Sequence, residues 1–170
     1  MKHIPGHGRA LCDSHKELPV VTASPEELEI DIEPFERLNW VPMGMVAHVL
    51  YSAWDKKRPS SQSPVIVRDI IRGRIGFDGL LMSDDIGMEA LSGGFGERAT
   101  AIIAAGCDLV LHCSGEMDEM QAVAAATPKI GRAADERLRQ AMLIASTASD
   151  GPDLQGCMAK RDELLALAAE

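Results

Sequence analysis

Three short apolar runs recur along this chain, at residues 41–50, 80–82 and 108–111, and segments of helical character separate them. A strand, helix, strand order implies parallel strands joined by crossover helices, because a tight turn cannot connect parallel neighbours. The runs are continuous rather than alternating, which fits strands buried on both faces. The helix signals are local. Ser24-Pro25-Glu26-Glu27 supplies a cap, a proline for the first helical position and a capping-box glutamate. Leu28, Ile32, Phe35 and Leu38 follow at helical spacing, with Pro34 predicting a break into two short pieces. Ser63-Pro64 repeats the cap-then-proline signal, Val67, Ile70 and Ile71 give the apolar stripe, and Gly73 reads as the stop. Further helices are expected over 97–105 (ended by Gly106), 116–126 and 131–147. The polar break Ser149-Asp150-Gly151-Pro152 divides residues 1–148 from a C-terminal helical tail, 149–170, whose helix is expected near 158–169.

The composition narrows the function classes. Hydrophobic residues make up 46% of the 170 residues but aromatics only 4%, which suits closely packed helices on a sheet better than an aromatic-rich sandwich. The net charge of −9 repels phosphate backbones, so nucleic acid is not an expected partner. No apolar run approaches the length of a membrane span, and the first residues have no apolar stretch of signal-peptide type. Cys12, Cys107, Cys113 and Cys157 include no C-x-x-C pair, the pattern of free thiols in a reducing cytoplasm.

Two segments carry candidate chemistry. In Lys2-His3-Ile4-Pro5-Gly6-His7-Gly8, two glycines and a proline shape an exposed loop that starts with no strand before it. Asp13 and His15 follow, spaced so that a turn could bring carboxylate and imidazole together for acid–base work. An exposed His-rich loop is the plainer reading, and His3, His7 and His15 could instead hold a metal, although no helical His pair supports that. In Ser83-Asp84-Asp85, a carboxylate at a buried strand end needs partners or a task. It could be a nucleophile, a metal ligand or a cap, and strand alternation lets at most one aspartate point in the favourable direction. Three runs end in or near an ionisable residue, His48, Asp84 and His112, at the strand ends that form the working face of a parallel barrel.

These residues resemble a known family. Residues 2–15, K-H-I-P-G-H-G-R-A-L-C-D-S-H, are similar to the K-H-F-P-G-H-G-x4-D-S-H signature of bacterial β-N-acetylglucosaminidases of glycoside hydrolase family 3, the NagZ type. Met45-Val46-Ala47-His48-Val49, Gly76-Phe77-Asp78-Gly79, Ser83-Asp84-Asp85-Ile86-Gly87-Met88 and Ala105-Gly106-Cys107-Asp108 look like its next segments in the same order, so the resemblance runs from residue 2 to about 140. It implies an α/β fold, the C-terminal half of a (β/α)8 TIM barrel, over residues 1–148. It implies retaining hydrolysis of terminal β-linked N-acetylglucosamine from peptidoglycan-derived muropeptides, in the cytoplasm, with no metal or organic cofactor. Carried over by motif, Asp84 is the nucleophile, His15 the acid/base, Asp13 the residue that orients His15, and Lys2 and His3 the contacts to sugar hydroxyls. His7 is left a structural role, while His48 and His112 line the site. The resemblance also implies that the chain opens at the end of the fifth barrel strand, without the substrate-binding aspartate and arginine of the first half. A half-barrel has two unpaired edges and an apolar interior facing water, so a complementary N-terminal half-barrel is the expected partner. A non-catalytic fragment is the alternative, and a phosphorylase a third, since a histidine acid/base tolerates phosphate better than a carboxylate does.

Overall fold

The computed structural model describes residues 1–147 and 153–167; the expected boundary between the α/β unit and the tail lies outside the described residues. Four parallel strands form the main sheet: β1 (Lys2–Ile4), β3 (Met43–Val46), β5 (Leu80–Asp85) and β6 (Leu109–Leu111), in that spatial order. A smaller parallel pair joins β2 (Val20–Val21) to β4 (Leu50–Tyr51). The helices are α1 (Pro25–Arg37), α2 (Phe95–Ala105), α3 (Met117–Ala126), α4 (Arg132–Thr147) and α5 (Leu154–Leu167), with a π-helical segment at Ile66–Arg74. The main sheet runs in chain order without reversal. Right-handed crossovers therefore carry the connecting segments past the same face.

The two faces of this sheet differ. Behind it, Ile4, Val46, Phe77, Leu81, Ile71 and Ile102 are buried in one core. Gly44 sits against the Phe77 ring, where a Cβ would come within 3.0 Å of ring carbons. On the other face Met43, Met45 and Met82, with Met1 and Lys2, line an open hollow of about 210 Å³. Both outer strands, β1 and β6, have a neighbour on one side only.

Several local expectations change. Lys2–Ile4 is itself a strand, paired with β3 through Lys2↔Met45 and Ile4↔Val46, so the polar loop does follow a strand. The run 41–50 is split: Met43–Val46 belongs to the main sheet, and Leu50 crosses to the smaller one to pair with Val20. Pro34 does not break α1. It lies in the last turn, where its missing N–H removes one bond, and the capping box of Ser24 and Glu27 with buried Leu28 and Ile32 holds the rest. Gly73 does not stop its helix. Ile75 N–H donates to the Ile70 carbonyl (2.8 Å), five residues back, and this wider winding turns Ile66, Ile71 and Ile75 toward the core. The turn comes at Gly76, whose φ is +71°. Gly106 caps α2 in the left-handed conformation, as its placement predicts. The last helix, α5, begins at Leu154, earlier than expected.

At the amino ends of the strands, α4 is fastened by charge. Asp108 Oδ2 accepts from Arg72 Nη2 (2.8 Å) and from Leu81 N–H (2.9 Å), and its Oδ1 from Arg137 Nη1 (3.1 Å). Arg137 also binds Asp78 (2.7 Å). Only 7% of the Asp108 side chain is exposed, so its removal leaves two partly buried guanidinium groups and a strand N–H unpaired. Asp108→Ala should therefore lower the unfolding free energy by about 3 kcal/mol in urea titrations. A loss under about 1 kcal/mol would place the cluster with exposed ion pairs.

Candidate active site

The site begins with alternation along β5. Leu81 and Ser83 point into the protein and are fully buried. Ser83 Oγ accepts from Leu111 N–H (3.1 Å), which fixes β6 beside β5. Asp84 therefore emerges on the opposite face and Asp85 turns back with Leu81 and Ser83. Asp84 Oδ2 lies 3.5 Å from His3 Nε2, and its Oδ1 accepts from Asp85 N–H (2.9 Å). His3 comes from β1, two strands away, and Asp84 is 16% exposed. Burial pushes the His3 pKa down, and the Asp84 charge pulls against that. Lys2, His7 and His15 are close enough to lower it further.

A loop brings the second group of residues to this end of the sheet. His15 Nδ1 is 2.8 Å from Asp13 Oδ1, which also accepts from the His15 backbone N–H (3.0 Å). These two bonds hold the Asp13 carboxyl below its usual range. The His15 ring is three-quarters exposed, and Nδ1 is the nitrogen that Asp13 engages, so Nε2 is the one left to exchange a proton. The loop is anchored at its start by Tyr51, whose hydroxyl donates to the Gly6 carbonyl (2.6 Å), and within by His7 Nε2 and Ser14 Oγ (3.1 Å). It docks on the turn that follows Asp85: Glu89 N–H donates to the His15 carbonyl and Ala90 N–H to the Ser14 carbonyl, both at 3.3 Å. Arg98 braces that turn from α2 through the carbonyls of Ile86 (2.7 Å) and Gly93 (2.9 Å).

The structure thus brings Asp84 against His3, pairs Asp13 with His15, and ties both groups to one segment, 84–90. Lys2 stands exposed beside His3 at the open hollow. His7 is engaged within its own loop. His48 and His112 do not line the site. His48 is fully buried, its Nε2 donating to the Asp85 carbonyl (3.0 Å) and its Nδ1 facing Ser61 Oγ (2.7 Å). His112 lies behind β6's end, its Nε2 bound to Glu119 Oε2 (3.0 Å) and Ser114 Oγ (2.9 Å). Residue types do not reveal these partners, because Ser61, Glu119 and Arg98 reach His48, His112 and the turn after Asp85 from separate elements with no shared motif. Among the described residues, no three His, Cys, Asp or Glu side chains are gathered to hold a metal ion.

Residues 1–143 match the family described as Glycosyl hydrolase family 3 N terminal domain. The chain belongs to this family. A Beta-hexosaminidase from Chromobacterium violaceum is 44% identical over 135 residues, covering 75% of this chain and 38% of the relative. One from Tolumonas auensis is 43% identical over 121 residues, covering 66% of this chain and 35% of the relative. The chain therefore spans little more than a third of these curated relatives. Among solved structures, the family 3 beta-N-acetylglucosaminidase from Paenibacillus sp. aligns with a TM-score of 0.70 at 32% identity, over 90% of this chain and 32% of that one. NagZ from Neisseria gonorrhoeae in complex with N-trifluoroacetyl-D-glucosamine aligns with a TM-score of 0.70 at 31% identity, over 87% and 45%. The parallel α/β architecture described above is thus shared with solved family 3 enzymes.

Two histidines at this end of the sheet, His3 and His48, give the protein a pH signature. His48 donates from Nε2 to a carbonyl, and burial lowers its pKa; His3 is lowered by its own burial too. As pH falls through the ordinary histidine value of about 6.5, the unfolded chain takes up protons at both positions before the folded chain does. The unfolded state then holds more protons, so stability rises with pH in this window. The urea midpoint should fall between about pH 7 and pH 5.5, and His48→Gln should flatten that fall. An unchanged slope in His48→Gln would remove His48 as its source.

Proposed function

We propose that this chain carries the catalytic end of a (β/α)8 barrel that hydrolyses terminal β-linked N-acetylglucosamine from peptidoglycan-derived muropeptides, in cytoplasmic cell-wall recycling. The observation that carries the reading is the convergence of the Asp84–His3 pair and the Asp13–His15 pair on the segment that leaves β5. Membership of family 3 and the Beta-hexosaminidase relatives support the substrate class. The unreversed strand order, with one packed face and one open face, supports the barrel.

Asp84 is the nucleophile. Its carboxylate attacks the anomeric carbon, and the glycosidic C–O bond breaks as the glycosyl-aspartate ester forms. His15, protonated and oriented by Asp13, gives its Nε2 proton to the departing oxygen. It then takes a proton from the water that opens the ester, so the anomeric configuration is retained. His3, beside Asp84, and Lys2 donate to sugar hydroxyls. No cofactor enters these steps. A complementary half-barrel pairing with β1 and β6 would complete the substrate's far side and cover the methionine hollow.

The test is turnover of a chromogenic N-acetylglucosaminide by the 170-residue chain, with Asp84→Ala as control. Turnover above the control would make the chain active by itself, and Asp84→Asn should then lower kcat by at least about 1,000-fold and prevent trapping by a fluorinated substrate. Wild-type turnover no higher than the control would make the chain inactive on its own, as a fragment would be. His15→Ala should slow substrates with poor leaving groups about 100-fold more than activated ones, while equal losses would remove the acid role. Added phosphate should not divert product to sugar 1-phosphate; if it does, the enzyme is a phosphorylase.

A further inference from the structure

The second aspartate of Ser83-Asp84-Asp85 has no part in the chemistry above, yet the end of the sheet is organised around it. Asp85 Oδ1 accepts two backbone N–H groups from separate segments: Gly87 (3.0 Å), in the turn leaving β5, and Cys113 (3.1 Å), in the segment leaving β6. Its carbonyl accepts from the buried His48 (3.0 Å), which Ser61 holds from below. Its Oδ1 also faces His112 Nδ1 at 3.7 Å. That nitrogen is the one buried side-chain N or O atom among the described residues without a hydrogen-bond partner. The His112 ring cannot turn away freely, because its Nε2 is bound to Glu119 and Ser114 and the tilted Phe95 ring lies against it, centroids 4.8 Å apart. Asp85 is thus held by the turn it begins, by the neighbouring strand's exit and by His48, with His112 facing it.

We propose that Asp85 is the positioning residue for Asp84, tying the exits of β5 and β6 together so that the adjacent carboxylate is held at one angle beside His3. The link is covalent and short. Asp84 and Asp85 share a peptide unit, and the N–H of that unit is the group that Asp84 Oδ1 accepts. A rotation of Asp85 that followed loss of the Gly87 and Cys113 bonds would turn this N–H and release the Asp84 carboxylate. The same rotation would shift the turn on which His15 docks through Glu89. His48 and His112 act through Asp85 rather than on substrate. A plain turn cap would need only the Gly87 bond; the Cys113 bond and the two histidines go beyond that.

This inference rests on the nucleophile reading for Asp84, so its test has an arm that needs no turnover. Amide hydrogen exchange should quicken at Gly87 and Cys113 in Asp85→Ala by at least about tenfold while the amides of Leu81 and Val46 stay within about twofold of wild type. In the hydrolysis assay, Asp85→Ala should lower kcat about 100-fold with KM within about threefold, the pattern of a misaimed group rather than a lost binding contact. Asp85→Asn keeps an oxygen for both amides and should recover kcat to within about fivefold of wild type. Unchanged exchange at Gly87 and Cys113 in Asp85→Ala overturns the proposal. So does an Asp85→Asn variant with wild-type exchange that is as inactive as Asp84→Asn, since the Asp85 charge would then matter directly. If Asp85→Ala does not fold, Asp85→Ser, whose hydroxyl is too short to reach both amides, takes its place with the same expected pattern. A wild-type chain without turnover is a fragment inactive on its own, and the exchange arm alone then decides whether Asp85 holds the two exits.

Discussion

Neighbouring residues in an extended strand must face opposite ways, and at the end of β5 this alternation separates two aspartates that are identical in chemistry. Asp84 is turned outward to His3, and Asp85 inward to the exits of β5 and β6. The separation holds only while β5 keeps its place between β3 and β6. The register Val46↔Ser83 on one side and the Ser83–Leu111 hydrogen bond on the other supply that place. A slip of one residue would exchange the two carboxylates and bury the one that faces His3. Much of the molecule serves to prevent it, including the Phe77 ring under Gly44 and the Asp108 contact to the Leu81 N–H.

The strand ends divide the work. At the amino ends, charge is spent on holding elements together: Arg72 and Arg137 converge on Asp108 and fasten α4 to the sheet. At the carboxyl ends, the charged groups are partly open, and each lies beside one of opposite or titratable character. This polarity is what a parallel sheet permits, because all strands finish on one side and their loops meet there. The open methionine face and the singly paired edges β1 and β6 belong to the same geometry.

Much of this is legible in the sequence. The three apolar runs announced parallel strands, Ser24-Pro25 and Gly106 marked a helix start and a helix stop, and the spacing of Asp13 and His15 anticipated their contact. The failures have physical causes. Pro34 was tolerated because it sits in a last turn, and the run 41–50 was split because hydropathy does not say which sheet a residue joins. A place at a strand end suggests a site role for His48 and His112 that their side chains do not take. Side-chain direction depends on the residues that fill the space behind, and Ser61 and Glu119 come from elsewhere in the chain.

The sequence by itself determined the fold class, the family and the identity of the polar residues at the strand ends. Those follow from local hydropathy, turn chemistry and motif order, which neighbours in the chain suffice to set. Only the tertiary structure decided which aspartate faces His3, which histidines are supports, and what holds the loop that carries His15. Those answers depend on strand register and on contacts between residues far apart in the chain, and no local pattern encodes them.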